Sequence, residues 1–192
     1  MFKYTTVESF FTSAECEKLI NNSLKNIKLT KAKVGGEDGK GKYNDHRHSS
    51  VAFVDGNIIF PEIVKKLQQE LINQVKIKGY ELDFKHTKYQ FTEYKLGEFY
   101  KWHKDSDKSS PHNSIKNRYC SVVIQLTDEY TGGDLELIDE EEIIKFKNGK
   151  GNLFIFLSNL MHRVTEVESG TRYSLVTWFT LKPTPNYSKS LI

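Results

Sequence analysis

From Phe84 to Thr180 the chain is a series of short runs rich in aromatic and β-branched residues, each closed by a turn signal. The runs fall at 84–94, 99–104, 118–126, 134–138, 142–147, 153–157, 162–167 and 172–180. Leu96-Gly97, Thr131-Gly132-Gly133, Asn148-Gly149-Lys150-Gly151 and Ser169-Gly170 separate several of them. No regular helical crossover lies between the runs, so a parallel α/β sheet is excluded and an antiparallel sandwich or barrel is predicted. Gly132 and Gly133 are most economically turn formers, and Asp134 and Glu136 alternate outward as solvated residues.

Helices are expected only before this region. Thr12 and Glu15 have capping-box spacing, and Leu19, Ile20, Leu24 and Ile27 recur with helical period, which predicts a helix over 13–27. Pro61 suits a first turn, and Ile63, Val64, Leu67, Leu71, Ile72 and Val75 predict a second helix over about 61–77. Between them, 31–48 holds four glycines and almost no apolar side chain and reads as a mobile loop. The tail KPTPNYSKSLI has two prolines spaced to stop a continuing central strand. At 192 residues the chain fits one domain, with a helical support region at about 10–80.

Composition narrows the class of protein. With 38% hydrophobic and 28% charged residues the chain is neither disordered nor a membrane protein. The longest strongly apolar run, 153–157, is far short of the roughly 20 residues a bilayer crossing needs. The start MFKYTTVESF contains no readable secretory signal, and Cys16 and Cys120 alone make no disulfide framework. A reducing, cytoplasmic setting is expected. A net charge of +3 is too even to imply nucleic acid.

Within the strands, EFYKWHKD (98–105) places His103 and Asp105 on one side of an extended chain. His162 follows the apolar run LFIFL. Two histidines and one carboxylate can occupy one face of an iron ion and leave the other open to substrate and oxygen. Arg172 lies on the next predicted strand, with Ser169-Gly170 read as the turn that brings it back beside His162. A guanidinium directed into a barrel would cost several kcal/mol unless an anion met it, and the far carboxylate of a diacid could form a bidentate pair with it. Ser174 shares its face and could donate a further hydrogen bond. Each part alone has a plainer reading: His103 could sit in a surface turn, and Tyr100 and Trp102 read as core packing. His46 and His48 read as solvated loop residues, while His86 and His112 have no supporting context.

Taken together, YKLGEFYKWHKD (94–105), RYCSVVIQLTDEYTGGDLEL (118–137) and GNLFIFLSNLMHRVTEVESGTRYSLVTWF (151–179) resemble the prolyl-4-hydroxylase-like group of 2-oxoglutarate and iron(II)-dependent dioxygenases, including PKHD-type hydroxylases. TSAECEKLI and RHSSVAFVD also look like parts of such a domain. The resemblance implies a mainly β fold with flanking N-terminal helices: a double-stranded β-helix, or jelly roll, with iron in its mouth. On that pattern His103, Asp105 and His162 match the metal ligands and catalytic centre, and Arg172 matches the residue that clamps the distal carboxylate of 2-oxoglutarate. Tyr94 matches a cosubstrate contact and Trp178 an aromatic wall. Gln125 is assigned to the cosubstrate cavity because it alternates in phase with Ser121 and Val123.

The implied cofactors are Fe(2+), with 2-oxoglutarate and O2 as cosubstrates and ascorbate as an optional reductant. The products would be a hydroxylated substrate, succinate and CO2. The implied partner is a protein or peptide, proline side chains first, and the loops 31–48 and 104–118 could surround it. Oxidative demethylation, including that of nucleobases, and small-molecule hydroxylation on the same core stay open as less favoured readings. So does a jelly roll that binds metal or carboxylate without turnover. Oligomeric state is not legible.

Overall fold

A computed structural model of the chain describes residues 2–34, 42, 44–56, 60–85, 88–106 and 117–184. Most of the 31–48 and 104–118 loops, namely 35–41, 43 and 107–116, lies outside them, as do His86 and His112.

Both expected helices form. Helix α1 (Ser13–Asn26) opens on the capping box, in which Thr12 Oγ1 accepts from the Glu15 amide and Glu15 Oε2 accepts from the Thr12 amide. Helix α2 (Pro61–Gln74) carries its proline in the first turn, where the missing amide is no loss. They stop one and three residues short of the predicted ends. Among the described residues, no helix is long and apolar enough to cross a membrane.

Fifteen strands follow in chain order among the described residues. Eight form one sheet: β1 (Tyr4–Val7), β2 (Thr30–Lys31), β4 (Ser50–Asp55), β5 (Tyr80–Asp83), β6 (Lys88–Tyr94), β8 (Cys120–Gln125), β12 (Leu153–Leu157) and β15 (Arg172–Pro183). A second sheet runs β11 (Glu142–Lys145), β10 (Leu135–Asp139), β13 (His162–Val164), β7 (Phe99–His103) and β3 (Arg47–His48). A short pair joins β9 (Tyr130–Gly132) to β14 (Val167–Gly170). All the pairings between named strands are antiparallel, as the sequence pattern predicts.

Alternation of side chains divides the apolar residues between two layers. Val122, Ile124, Leu153, Ile155, Leu175 and Phe179 turn toward the helices and pack in one cluster with Leu19, Leu67 and Leu71. Val123, Phe154, Phe156 and Tyr94 turn the other way and join Leu135, Leu137 and Val164 between the two sheets. The helices therefore back the large sheet, and the space between the sheets is left for a site. This is the double-stranded β-helix expected from the resemblance.

Several expectations are corrected. The predicted hairpin of 162–167 with 172–180 does not exist: β13 pairs with β7 and β10, whereas β15 pairs with β6, β8 and β5. The chain changes sheets there, and Ser169-Gly170 ends β14 with Gly170 at a φ of 71°. The segment 31–48 is not wholly loop, since its ends lie in β2 and β3 and Val34 bridges Lys42. Strand β15 runs on to Pro183, past the predicted stop. Beyond Phe179, among the described residues, only β5 accompanies it, an edge position that tolerates proline. Asp134 and Glu136 are not merely solvated, being ion-paired to Lys145 and Arg163 at 2.6 and 2.7 Å.

Candidate metal centre

His103 ends β7 and His162 begins β13, and the two face each other in register across the strand pair. Their ring centroids are 4.1 Å apart. His103 Nδ1 lies 2.8 Å from the Lys101 carbonyl oxygen and His162 Nδ1 lies 2.9 Å from that of Leu160. A carbonyl only accepts, so each Nδ1 must carry the proton and each Nε2 presents a lone pair. Asp105 supplies the third donor. Its Oδ1 is 3.7 Å from His103 Nε2 and its Oδ2 is 3.3 Å from His162 Nε2. The three ligand atoms all fall within 4.8 Å of one another. Donors bound at about 2.1 Å in adjacent positions of one metal ion lie about 3 Å apart, so this set closes on a cation with little movement.

Asp105 is fixed from both sides. Its amide and that of Ser106 each donate to the Ser158 carbonyl at 2.9 Å. Ser121 Oγ donates to Asp105 Oδ2 at 2.6 Å and lies 2.9 Å from Ser158 Oγ, with both serines fully buried. Arg118 Nη1 reaches the Asp105 carbonyl at 3.3 Å while its guanidinium lies 3.9 Å from the Trp178 ring centre. Tyr100 stacks on His103 at 3.5 Å, and the edge of Phe156 meets His162 at 4.7 Å.

The electrostatics favour a bound cation. Burial pushes the Asp105 carboxyl upward, but the neighbouring His162, His103 and Arg118 outweigh it and hold the group well below the usual carboxylate range. Burial, with the adjoining His162, holds His103 down to about 3, so it is a neutral ligand at ordinary pH. His162 moves upward: burial opposes its charge, and the Asp105 carboxylate more than compensates.

A second group lies at the start of β15. Arg172 is only 1% exposed, and it stands opposite Tyr94 in register with its guanidinium 5.4 Å from that ring centre. Its Nη1 donates to Ser174 Oγ at 3.1 Å, while Nε and Nη2 are buried without a partner. Gln125 pairs with Ser174 in register, but its amide nitrogen is committed to the Thr127 carbonyl at 2.8 Å, leaving only an oxygen that accepts. Trp178 stands opposite Ser121, at the metal end of the strand rather than beside Arg172.

Of the residues singled out in the sequence, His103, Asp105 and His162 are thus brought together, and Arg172, Ser174 and Tyr94 form a neighbouring group. Sequence reasoning missed Ser121, Ser158 and Arg118, and read Tyr100 as packing alone. Only Ser121 left a trace, through its phase with Gln125.

The family model described as the 2OG-Fe(II) oxygenase superfamily matches residues 89–180. A PKHD-type hydroxylase of Prochlorococcus marinus strain MIT 9215 is 29% identical over 168 residues, covering 84% of this chain and 72% of that protein. Of another PKHD-type hydroxylase of the same species the chain spans 55%. A Pseudomonas putida prolyl-4-hydroxylase superposes with a TM-score of 0.70 at 19% identity, covering 93% of this chain and 92% of that one. A prolyl hydroxylase from Trichoplax adhaerens, solved with a peptide fragment of a hypoxia inducible factor oxygen degradation domain, gives 0.72 at 18% identity, with 93% and 83% covered. At such identities the structural likeness speaks for the fold, while the sequence matches and the His-Asp-His triad speak for the family. Over residues 89–180 the chain matches the 2OG-Fe(II) oxygenase superfamily at the level of the family, and it carries the metal-binding triad that a 2-oxoglutarate-dependent dioxygenase requires.

Proposed function

We propose that this protein hydroxylates a protein or peptide side chain, proline first, at the expense of 2-oxoglutarate and oxygen, and that the whole chain acts as one catalytic domain. The observation that carries the reading is a buried arginine with two unpartnered nitrogens, set between the same two sheets that hold the triad. Iron(II) held by His103, Asp105 and His162 supplies the oxidising chemistry, coupling decarboxylation of 2-oxoglutarate to succinate with insertion of oxygen into a C–H bond.

The tasks of the protein side chains follow from their placement. His103, Asp105 and His162 would hold the ion through three donors and so would leave room on it for cosubstrate and oxygen. Arg172 meets the distal carboxylate with a two-pronged donor set that lysine could not offer. Ser174 accepts from Arg172 and keeps its own O–H to donate. Tyr94 covers the guanidinium with its ring face, and Trp178 walls the metal end beneath Arg118. Gln125 backs this group without holding an anion. Water is kept from the space between by the apolar side chains of Val123, Phe154 and Phe156.

A peptide substrate is supported by the Trichoplax adhaerens relative solved with a peptide fragment. Cys16 and Cys120 are both free thiols, which supports a reducing compartment such as the cytoplasm. The test is incubation of the purified protein with iron(II), 2-oxoglutarate, oxygen and a panel of proline-containing peptides, with and without ascorbate. Succinate formed in step with peptide that is heavier by one oxygen atom supports the reading. Hydroxylation confined to small molecules or methylated nucleobases would reassign the substrate. Absence of succinate, together with no visible iron chelate under nitrogen, would leave a binding protein only.

A further inference from the structure

The strand that ends in His103 is irregular just where it nears the metal centre. From the pair of His162 with His103 to the pair of Val164 with Tyr100, β13 advances two residues while β7 spans three, so β7 carries a bulge at Lys101 and Trp102. Residues three apart on a regular strand face opposite sides, and the extra residue turns Tyr100 to the side of His103. The two rings stack with centroids 3.5 Å apart and planes 15° from parallel.

Strand β3 and the residue before it hold this bulge in two ways. The Lys101 amide donates to the His46 carbonyl at 2.9 Å, while the Lys101 carbonyl accepts from His103 Nδ1 at 2.8 Å. Arg47 stands directly opposite Tyr100, with its guanidinium 4.6 Å from that ring centre. The imidazole takes up one face of the ring, which leaves the other to the guanidinium. Arg47 is itself buried, and its Nε donates to the buried Ser49 Oγ at 2.8 Å, which fastens the fork in place. Burial pushes the Tyr100 phenol up to about 12, against the pull of Arg47, so the ring is neutral and the contact is that of a cation with a ring face.

We infer that Arg47 is a positioning residue for the metal centre, resting on the triad as the metal site: pressed against Tyr100, it holds that ring on His103 and so fixes the imidazole in the orientation that presents Nε2 to the cation. The sign of its effect tells this role from a purely electrostatic one. As a charge alone, Arg47 repels a dication, and its removal would tighten metal binding. As a brace, its removal frees the His103 ring and weakens metal binding.

The experiment measures manganese(II) affinity by chelator competition under nitrogen, with a thermal melt of each variant to check the fold. Arg47→Met should weaken binding about three- to tenfold, the order expected for one partly desolvated contact between a cation and a ring. Arg47→Lys keeps the charge but not the planar fork and should fall between Arg47→Met and the wild type. Tyr100→Leu should weaken binding at least as much as Arg47→Met, and combining the two should cost no more than Tyr100→Leu alone, because the guanidinium acts through the ring. Unchanged or tighter binding in Arg47→Met, or in Arg47→Lys should the first variant melt early, overturns the inference, as do losses that add in the double variant. A wild-type protein that does not bind manganese(II) overturns the metal centre itself and the brace with it.

Discussion

Replacing Arg172 by methionine should leave the ligand-free protein at least as stable as the wild type while removing its affinity for the diacid. Two guanidinium nitrogens are buried without partners, and each such donor costs about 1–3 kcal/mol. The single bond to Ser174 and the face of Tyr94 return about 1 kcal/mol each. Methionine keeps an apolar body of adaptable shape in the same space. The variant should therefore gain between nothing and about 4 kcal/mol, and a chain of this size gains about 2–4 °C in melting temperature per kcal/mol. With the diacid at a hundred times its dissociation constant the order reverses. The wild-type protein gains about 2.7 kcal/mol from binding, or about 5–10 °C. The variant, lacking two charge-assisted bonds of about 1.5–3 kcal/mol each, binds at least a hundredfold more weakly and gains almost nothing. Thermal melts of the manganese(II)-loaded proteins with and without 2-oxoglutarate measure both arms. A variant that melts more than 5 °C below the wild type without ligand, or that keeps the ligand-induced rise, would refute the reasoning.

Other outcomes can be set beside this one. His103→Ala and Asp105→Ala should each abolish iron-dependent succinate formation and retain the far-ultraviolet circular dichroism of the wild type, since the triad lies at strand ends rather than in the packed layers. Ser121→Ala removes the 2.6 Å bond that fixes Asp105 Oδ2 and should weaken metal binding about 10- to 100-fold in a chelator competition, with Ser121→Thr recovering part of the loss. Burial pushes the thiols of Cys16 and Cys120 up to about 11 and about 12, so neither should react with a thiol reagent at pH 8 until denaturant is added. Rapid labelling of the native protein would contradict that burial. Gly151→Ala should prevent stable folding, because with φ at 87° its Cβ would collide with the Phe11 carbonyl oxygen; a normal melting curve would count against it.

The metal triad was legible because His-x-Asp and a histidine after an apolar run occur together in a pattern that resembles a known family; the extended chain expected through Asp105 stops at His103, and Asp105 lies in a bend just past β7. The helices were legible from period and caps. The path between His162 and Arg172 was not. Ser169-Gly170 is the same signal whether the chain folds back as a hairpin or crosses to another sheet, and only the pairing of β14 with β9 decides it. Strands of two to four residues, such as β1, β3 and β9, leave too few alternations to be read. Ser121 and Ser158 act through one hydroxyl each, which no spacing rule marks. Tyr100 illustrates the opposite case: the pattern marks an aromatic strand residue, and only coordinates reveal that the ring lies on a metal ligand.

Strand β15 places Arg172, Ser174 and Trp178 on one face and Leu175 and Phe179 on the other, with β6 and β8 alongside. It works as a ruler with marks two residues apart, about 7 Å. Adding or deleting one residue between positions 172 and 178 would turn either the arginine or the tryptophan into the oily layer behind the sheet. A lineage that changed the reach between the two ends of its active cavity through this strand would have to do so by pairs of residues, or else break the ladder with a bulge.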